Sequence, residues 1–185
     1  MIILKILITG LGITGKSTFR KLLYSQYANT DKEVVNLDLD YDRARLPKEF
    51  VPKIVYILED VHGPTANAVV PLKEFDLVYY LLPSWWTHLR FWLSRIWIWF
   101  KIGYFAWEAD KGERGEWLGT CRPYDLANIF PILKEFWHHF KNRGLEIKKD
   151  LAVLKASKIT TIIIIPQKKW RGIKFYGQDL PLRRS

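Results

Sequence analysis

The stretch Gly10-Leu11-Gly12-Ile13-Thr14-Gly15-Lys16-Ser17 leaves this chain few folds to choose from. A short apolar, β-branched run, Ile2-Ile3-Leu4-Lys5-Ile6-Leu7-Ile8, precedes it and reads as a buried parallel strand. Thr18-Phe19-Arg20-Lys21-Leu22-Leu23-Tyr24 follows, with Phe19, Leu22 and Leu23 at helical spacing. A strand turning through glycines straight into a helix gathers backbone amides and a positive helix end at one point. Glycine permits the close approach that a Cβ would block. The segment fits G-x-x-x-x-G-K-[ST], whose amides surround phosphate oxygens. In that chemistry Lys16 reaches the outer phosphates and the Ser17 hydroxyl ligates Mg²⁺. Gly10, Leu11, Gly12, Ile13, Thr14, Gly15, Lys16, Ser17 and Thr18 are therefore the expected nucleotide-binding residues.

This strand–loop–helix resembles the P-loop NTPase superfamily, and the resemblance implies bound ATP or GTP with Mg²⁺. Further along, Glu33-Val34-Val35-Asn36-Leu37-Asp38 reads as a second strand, ending in Asp38-Leu39-Asp40-Tyr41-Asp42-Arg43. Carboxylates at the carboxyl end of a parallel strand point into the crevice where such sheets bind ligands. The Asp-x-Asp-x-x-Arg spacing is similar to the acceptor-site motif of adenylylsulfate kinases, and Asp40-x-x-Arg43 to the matching segment of polynucleotide 5′-hydroxyl kinases. Carried over, Asp40 is the base on the acceptor hydroxyl, Arg43 clamps an acceptor phosphate and Asp38 lies near Mg²⁺. The resemblance covers residues 1–45. It departs at Leu39, where adenylylsulfate kinases have glycine, and at Ile13, where many small kinases place a further glycine.

Lys53-Ile54-Val55-Tyr56-Ile57-Leu58-Glu59-Asp60 reads as the third strand, an apolar run ending in two acids. After a phosphate-binding loop this is the Walker B pattern, with Asp60 holding Mg²⁺ and Glu59 polarising a water or hydroxyl. Asp60-Val61-His62-Gly63 also resembles the γ-phosphate-sensing segment of GTPases, although the guanine-reading motif is missing after the strand Thr160–Ile165. Asp76–Leu82 is the fourth strand and Ile159–Ile165 the fifth.

Residues 108–123 interleave Gly112, Gly115 and Gly119 with Lys111, Arg114 and Arg122. They resemble the mobile lid of small P-loop kinases, where an arginine, here Arg114, neutralises the transferred phosphoryl group. Tyr124–Arg143 reads as a helix with Ile129, Leu133, Phe136, Trp137 and Phe140 inward and Gly144 as its stop; Leu145–Lys158 reads as another. His138 and His139 are adjacent and so face different sides of a helix.

Composition narrows the setting. A chain of 185 residues is read as one domain. Cys121 is the only cysteine, which rules out an intrachain disulfide and suits a reducing compartment, so a cytoplasmic location is expected. No run reaches the roughly 18 apolar residues of a membrane span. The net charge is +10, and from Lys141 to Ser185 there are 12 Lys/Arg against 3 Asp/Glu. That basic C-terminal quarter, with its tail at 166–185, suggests nucleic acid, another polyanion or an acidic membrane surface as partner. Trp85–Trp107 carries more aromatic surface than one helix face needs, which leaves an oligomer interface, a membrane-surface contact and a base-stacking surface open.

The expected fold is α/β: a mostly parallel sheet of about five strands flanked by helices, with a Gly/Arg lid. The expected activity is Mg²⁺-dependent transfer of a γ-phosphoryl group to a hydroxyl, with a nucleic-acid 5′-hydroxyl or a nucleotide favoured as acceptor. The alternative is a regulatory NTPase that acts through a partner or membrane.

Overall fold

A computed structural model describes residues 4–39, 42, 45–47, 49–60, 63–64, 70–102, 124, 129–169 and 172–177. The acceptor-site residues Asp40 and Arg43, and Arg114 with the whole 108–123 lid, lie outside them.

The chain divides into two compact units, Met1–His88 with Gly144–Ser185, and Leu89–Arg143. The first unit is built on a sheet. Its strands are β1 (Leu4–Gly10), β2 (Glu33–Asp38), β3 (Ile54–Glu59), β4 (Leu77–Leu81), β5 (Thr160–Lys169) and β6 (Gly172–Gly177). The spatial order is β2-β3-β1-β4-β5-β6. All pairs are parallel except β5 with β6. Helix α1 (Lys16–Ala28) links β1 to β2; α2 (Trp85–Ile102) and α3 (Ile129–Ser157) lie between β4 and β5.

Side-chain alternation explains why each face needs a cover. Ile6 and Ile8 of β1, Val55 and Ile57 of β3, and Tyr79 and Leu81 of β4 cluster with Phe19 and Leu23 of α1. Leu7, Leu58, Val78 and Tyr80 point the other way and cluster with Leu154 of α3. The sheet is thus packed on both faces, as the continuous apolar runs of its strands require. From β1 the chain proceeds toward one edge through β2, and from β4 toward the other through β5. The carboxyl end of β1 is the point where that direction reverses, the position at which open parallel sheets accept ligands.

Two expectations need amending here. The sheet has a sixth strand, because Gly172–Gly177 of the basic tail pairs antiparallel with β5, Lys169 opposite Gly172. Gly144 does not stop a helix: α3 runs 29 residues through it, and a Cβ there would meet nothing within 4 Å. A stop needs a left-handed residue after the last turn. That role falls to Lys158, with φ of 56°.

The second unit contains the body of α2 and the first half of α3. Trp92 is buried, and its ring meets Trp99, Phe136 and His139 at centroid separations of 5.9, 5.7 and 5.3 Å. Ile132 is the buried residue of α3 there, whereas Leu133 and Trp137, expected inward, are 46% and 67% exposed. The inward stripe is rotated because Ile132, Phe136 and His139 follow one helical face, and Leu133 and Trp137 fall beside it. His138 is exposed while His139 packs on Trp92, so the two do face apart.

Candidate phosphate-binding site

The site is assembled where β1 ends. Gly10 has φ of +135°, and a Cβ on it would stand 2.6 Å from the Leu81 carbonyl oxygen of β4. Only glycine fits that approach. The loop then turns through Ile13, with φ of 55°, and Gly15, with φ of 87°, into α1. A β-branched residue in the left-handed region is strained. Ile13, already noted as a departure from the kinase pattern, is thus held where glycine would be relaxed.

The loop's carbonyls are bound from several directions. The Lys16 ammonium, on a buried side chain, donates to the oxygens of Gly10 at 2.6 Å and Leu11 at 2.8 Å. The Thr14 hydroxyl donates to the Leu11 oxygen at 3.0 Å. His88, in the first turn of α2 and buried, places Nε2 2.9 Å from the Gly12 oxygen. The amides are in the opposite condition. Among the described residues, no hydrogen bond is donated by the backbone N–H groups from Leu11 to Gly15. The N-terminus of α1 adds to them, for Gly15 is its cap, no side chain caps it and its first turn holds no acid. A cluster of unused donors at a positive helix end favours an anion.

Beside this cradle lies a charged network. The Ser17 hydroxyl donates to Glu59 Oε1 at 2.8 Å. Glu59 Oε2 stands 2.7 Å from Arg20 Nε, a charge pair without an aligned hydrogen bond. Arg20 also reaches Asp38 Oδ2 and Asn36 Oδ1, each at 3.4 Å. Strand parity accounts for the gathering. Asn36 and Asp38 continue the side of Val34, and Glu59 the side of Val55 and Ile57, all facing α1. Burial pushes the Glu59 carboxyl above its ordinary value, against the opposing pull of the Ser17 hydroxyl and the Arg20 charge.

Of the expected metal-holding residues, Ser17 meets Glu59, which was expected to polarise a water or hydroxyl, and Asp38 is engaged with Arg20. Asp60 is buried at the end of β3, its amide donating to the Ile8 oxygen. Thr18 is exposed on α1. Asp42 turns its carboxylate back to the Asp38 amide at 3.1 Å, which lowers its pKa, and to Arg45 at 3.2 Å. Among the described residues no three His, Cys, Asp or Glu side chains form a metal cluster. A serine hydroxyl beside one carboxylate nevertheless suits Mg²⁺, which takes most of its ligands from phosphates and water.

Sequence reasoning missed two participants. Arg20 lay one helical turn after Ser17, on the side of Ser17 and Leu23, and could have been placed by periodicity. His88 carried no local signal, since its partner Gly12 is 76 residues away.

A second feature sits behind the strand ends. Gly63 has φ of +83°, and a Cβ on it would stand 3.1 Å from the Asp150 carboxylate of α3. Asp150 is buried and accepts a hydrogen bond from the Tyr80 hydroxyl at 3.0 Å. No family model matches this chain, and no curated protein matches it.

Proposed function

We propose that this chain is a P-loop phosphotransferase that binds ATP or GTP with Mg²⁺ and passes the γ-phosphoryl group to a hydroxyl acceptor. The observation that carries the reading is the loop from Leu11 to Gly15, with its unused amides at the N-terminus of α1. The amides bind the phosphates. Lys16 exchanges the Gly10 and Leu11 oxygens for phosphate oxygens and neutralises charge as it develops. Ser17 and Glu59 would hold Mg²⁺, with Asp60 close behind, and the ion would supply charge neutralisation at the transferred group. Arg20 keeps Glu59 and Asp38 in place. Asp40 orients the acceptor hydroxyl, Arg43 clamps an acceptor phosphate, and Arg114 closes over the transferred group. A nucleic-acid 5′-hydroxyl or a nucleotide remains the favoured acceptor, on the resemblance at Asp40 and Arg43 and the basic C-terminal quarter.

The test is incubation of the purified chain with Mg²⁺ and γ-labelled ATP or GTP, alone and then with 5′-hydroxyl oligonucleotides, nucleosides and nucleotides. Label on an acceptor supports the reading, and its loss in Asp40→Asn supports the base assignment. Free phosphate with every acceptor silent overturns it in favour of a regulatory NTPase. One observation favours that second reading: Gly63, the glycine of Asp60-Val61-His62-Gly63, is pressed against buried Asp150 in a conformation that suits glycine.

A further inference from the structure

The second unit carries a surface that phosphate chemistry does not use. On α2, Arg90, Leu93, Trp97 and Lys101 follow one another at helical spacing, and all four are exposed. On α3, Phe130, Lys134, Trp137 and Lys141 form a second such stripe, two aromatic and two basic side chains, again all exposed. Trp97 is 61% exposed, Phe130 79% and Trp137 67%. Such side chains are normally withdrawn from water, and a contiguous set marks a contact site.

A cavity lies between the two helices, with Leu93 and Trp97 of the first stripe in its wall. About 310 Å³ in volume, it is lined by Leu93, Ile96, Trp97 and Phe100 of α2 and Ile129, Ile132 and Leu133 of α3. Leu93, Trp97 and Leu133 are at once cavity wall and exposed surface, so the cavity opens onto the aromatic patch. No charged or hydrogen-bonding side chain lines it, save the single indole N–H of Trp97.

Charge selects the occupant. The two stripes carry four basic side chains, Arg90, Lys101, Lys134 and Lys141, and no acid, and by sequence Leu89–Arg143 holds nine Lys/Arg against six Asp/Glu. A second copy would bring like charge against like, which opposes association. A nucleic-acid strand would satisfy the charge and stack on the exposed rings, but its polar backbone offers nothing to fill a cavity of apolar side chains. An anionic bilayer satisfies both: headgroups pair with the lysines and arginines, indoles lie at the interface, and the cavity receives an acyl chain. No helix among the described residues is long and apolar enough to cross a membrane, so this contact lies in the interface plane.

We infer that the exposed stripes of α2 and α3, around Trp97 and Trp137, form a peripheral docking surface for an anionic lipid bilayer. The inference stands apart from the proposed phosphotransfer and does not depend on it.

The experiment is flotation of the full chain with phosphatidylcholine vesicles and with vesicles that also contain phosphatidylglycerol. Binding is expected on the anionic vesicles and weak on the neutral ones. Trp97→Ser with Trp137→Ser should lower vesicle affinity about tenfold or more. Lys101→Gln with Lys141→Gln should lower it about 25-fold, and added salt should do the same to the parent chain. All four side chains are exposed, so the fold survives their replacement, as circular dichroism would verify. Absence of binding to anionic vesicles overturns the inference, as does binding that the tryptophan pair leaves unchanged. Two further results overturn it by naming another occupant. One is single-stranded oligonucleotide binding lost in the tryptophan variant while vesicle binding persists. The other is a concentration-dependent dimer, in sedimentation, abolished by the same variant.

Discussion

Arg20 is the hinge of the charged network, and replacing it offers the sharpest test of the site's energetics. Arg20→Met keeps the aliphatic volume and removes the cation that faces Glu59 at 2.7 Å and Asp38 at 3.4 Å. The Glu59 side chain is 2% exposed and that of Asp38 12%, so water replaces little of what is lost. Breaking a buried pair by deleting one partner costs about 3–5 kcal/mol. The lower end, about 3 kcal/mol, applies because Glu59 can relieve itself by taking up a proton. That route sets the pH dependence. Burial already holds the Glu59 carboxyl above its ordinary value, and Arg20 is among the influences that pull it down. Without Arg20 it rises further. The native state then binds more protons than the unfolded chain between the ordinary carboxylate value and the raised one. Stability therefore increases as pH falls through that window and is lost as pH rises through the raised value. The penalty of Arg20→Met should be larger at a pH above the raised Glu59 value than at one below it. Urea unfolding followed by circular dichroism at both pH values measures it. Adding Glu59→Gln should recover more than half of the loss, since no buried charge remains unpaired there. A loss below about 1 kcal/mol, or one that is constant with pH, would refute the argument.

Three further outcomes follow from the same geometry. Gly144→Ala should stabilise the protein by about 1 kcal/mol, and Lys158→Gly by a similar amount, because an open helix interior favours alanine and the left-handed position after α3 favours glycine; thermal melts of each variant check this. Gly10→Ala should cost at least about 3 kcal/mol, since its Cβ meets the Leu81 oxygen at 2.6 Å on backbone that cannot retreat, and denaturant unfolding would show it. If Glu59 helps hold Mg²⁺, the Mg²⁺-dependent part of nucleotide affinity should weaken as pH falls through the raised Glu59 value, and titration of a fluorescent nucleotide across pH would register no such trend in Glu59→Gln.

What the sequence revealed depended on how local each determinant was. β1, the glycine loop and α1 were legible because their signals sit within 25 consecutive residues. The packed sheet was legible because runs such as Ile54–Leu58 have no polar face to offer water. β6 was not, since lysines and an arginine surround Gly172–Gly177 and its strand character comes from pairing with β5. Gly144 misled because glycine marks helix ends by adopting positive φ, and identity alone does not say whether it does so. The acid pair Glu59-Asp60 is the instructive case. Sequence pattern gave the metal to Asp60 and a polarising role to Glu59, and alternation adds that Glu59 faces α1. Val55 and Ile57 share a face with Ile6 and Ile8, Phe19 and Leu23 cover that face, and Glu59 is the next residue on it. Ser17 and Arg20 lie one turn apart at the start of the covering helix, so the contact from the Ser17 hydroxyl to Glu59 follows from parity and helical phase together. A motif names which residue types chemistry requires; the period of the strand decides which of two neighbouring acids is turned toward it.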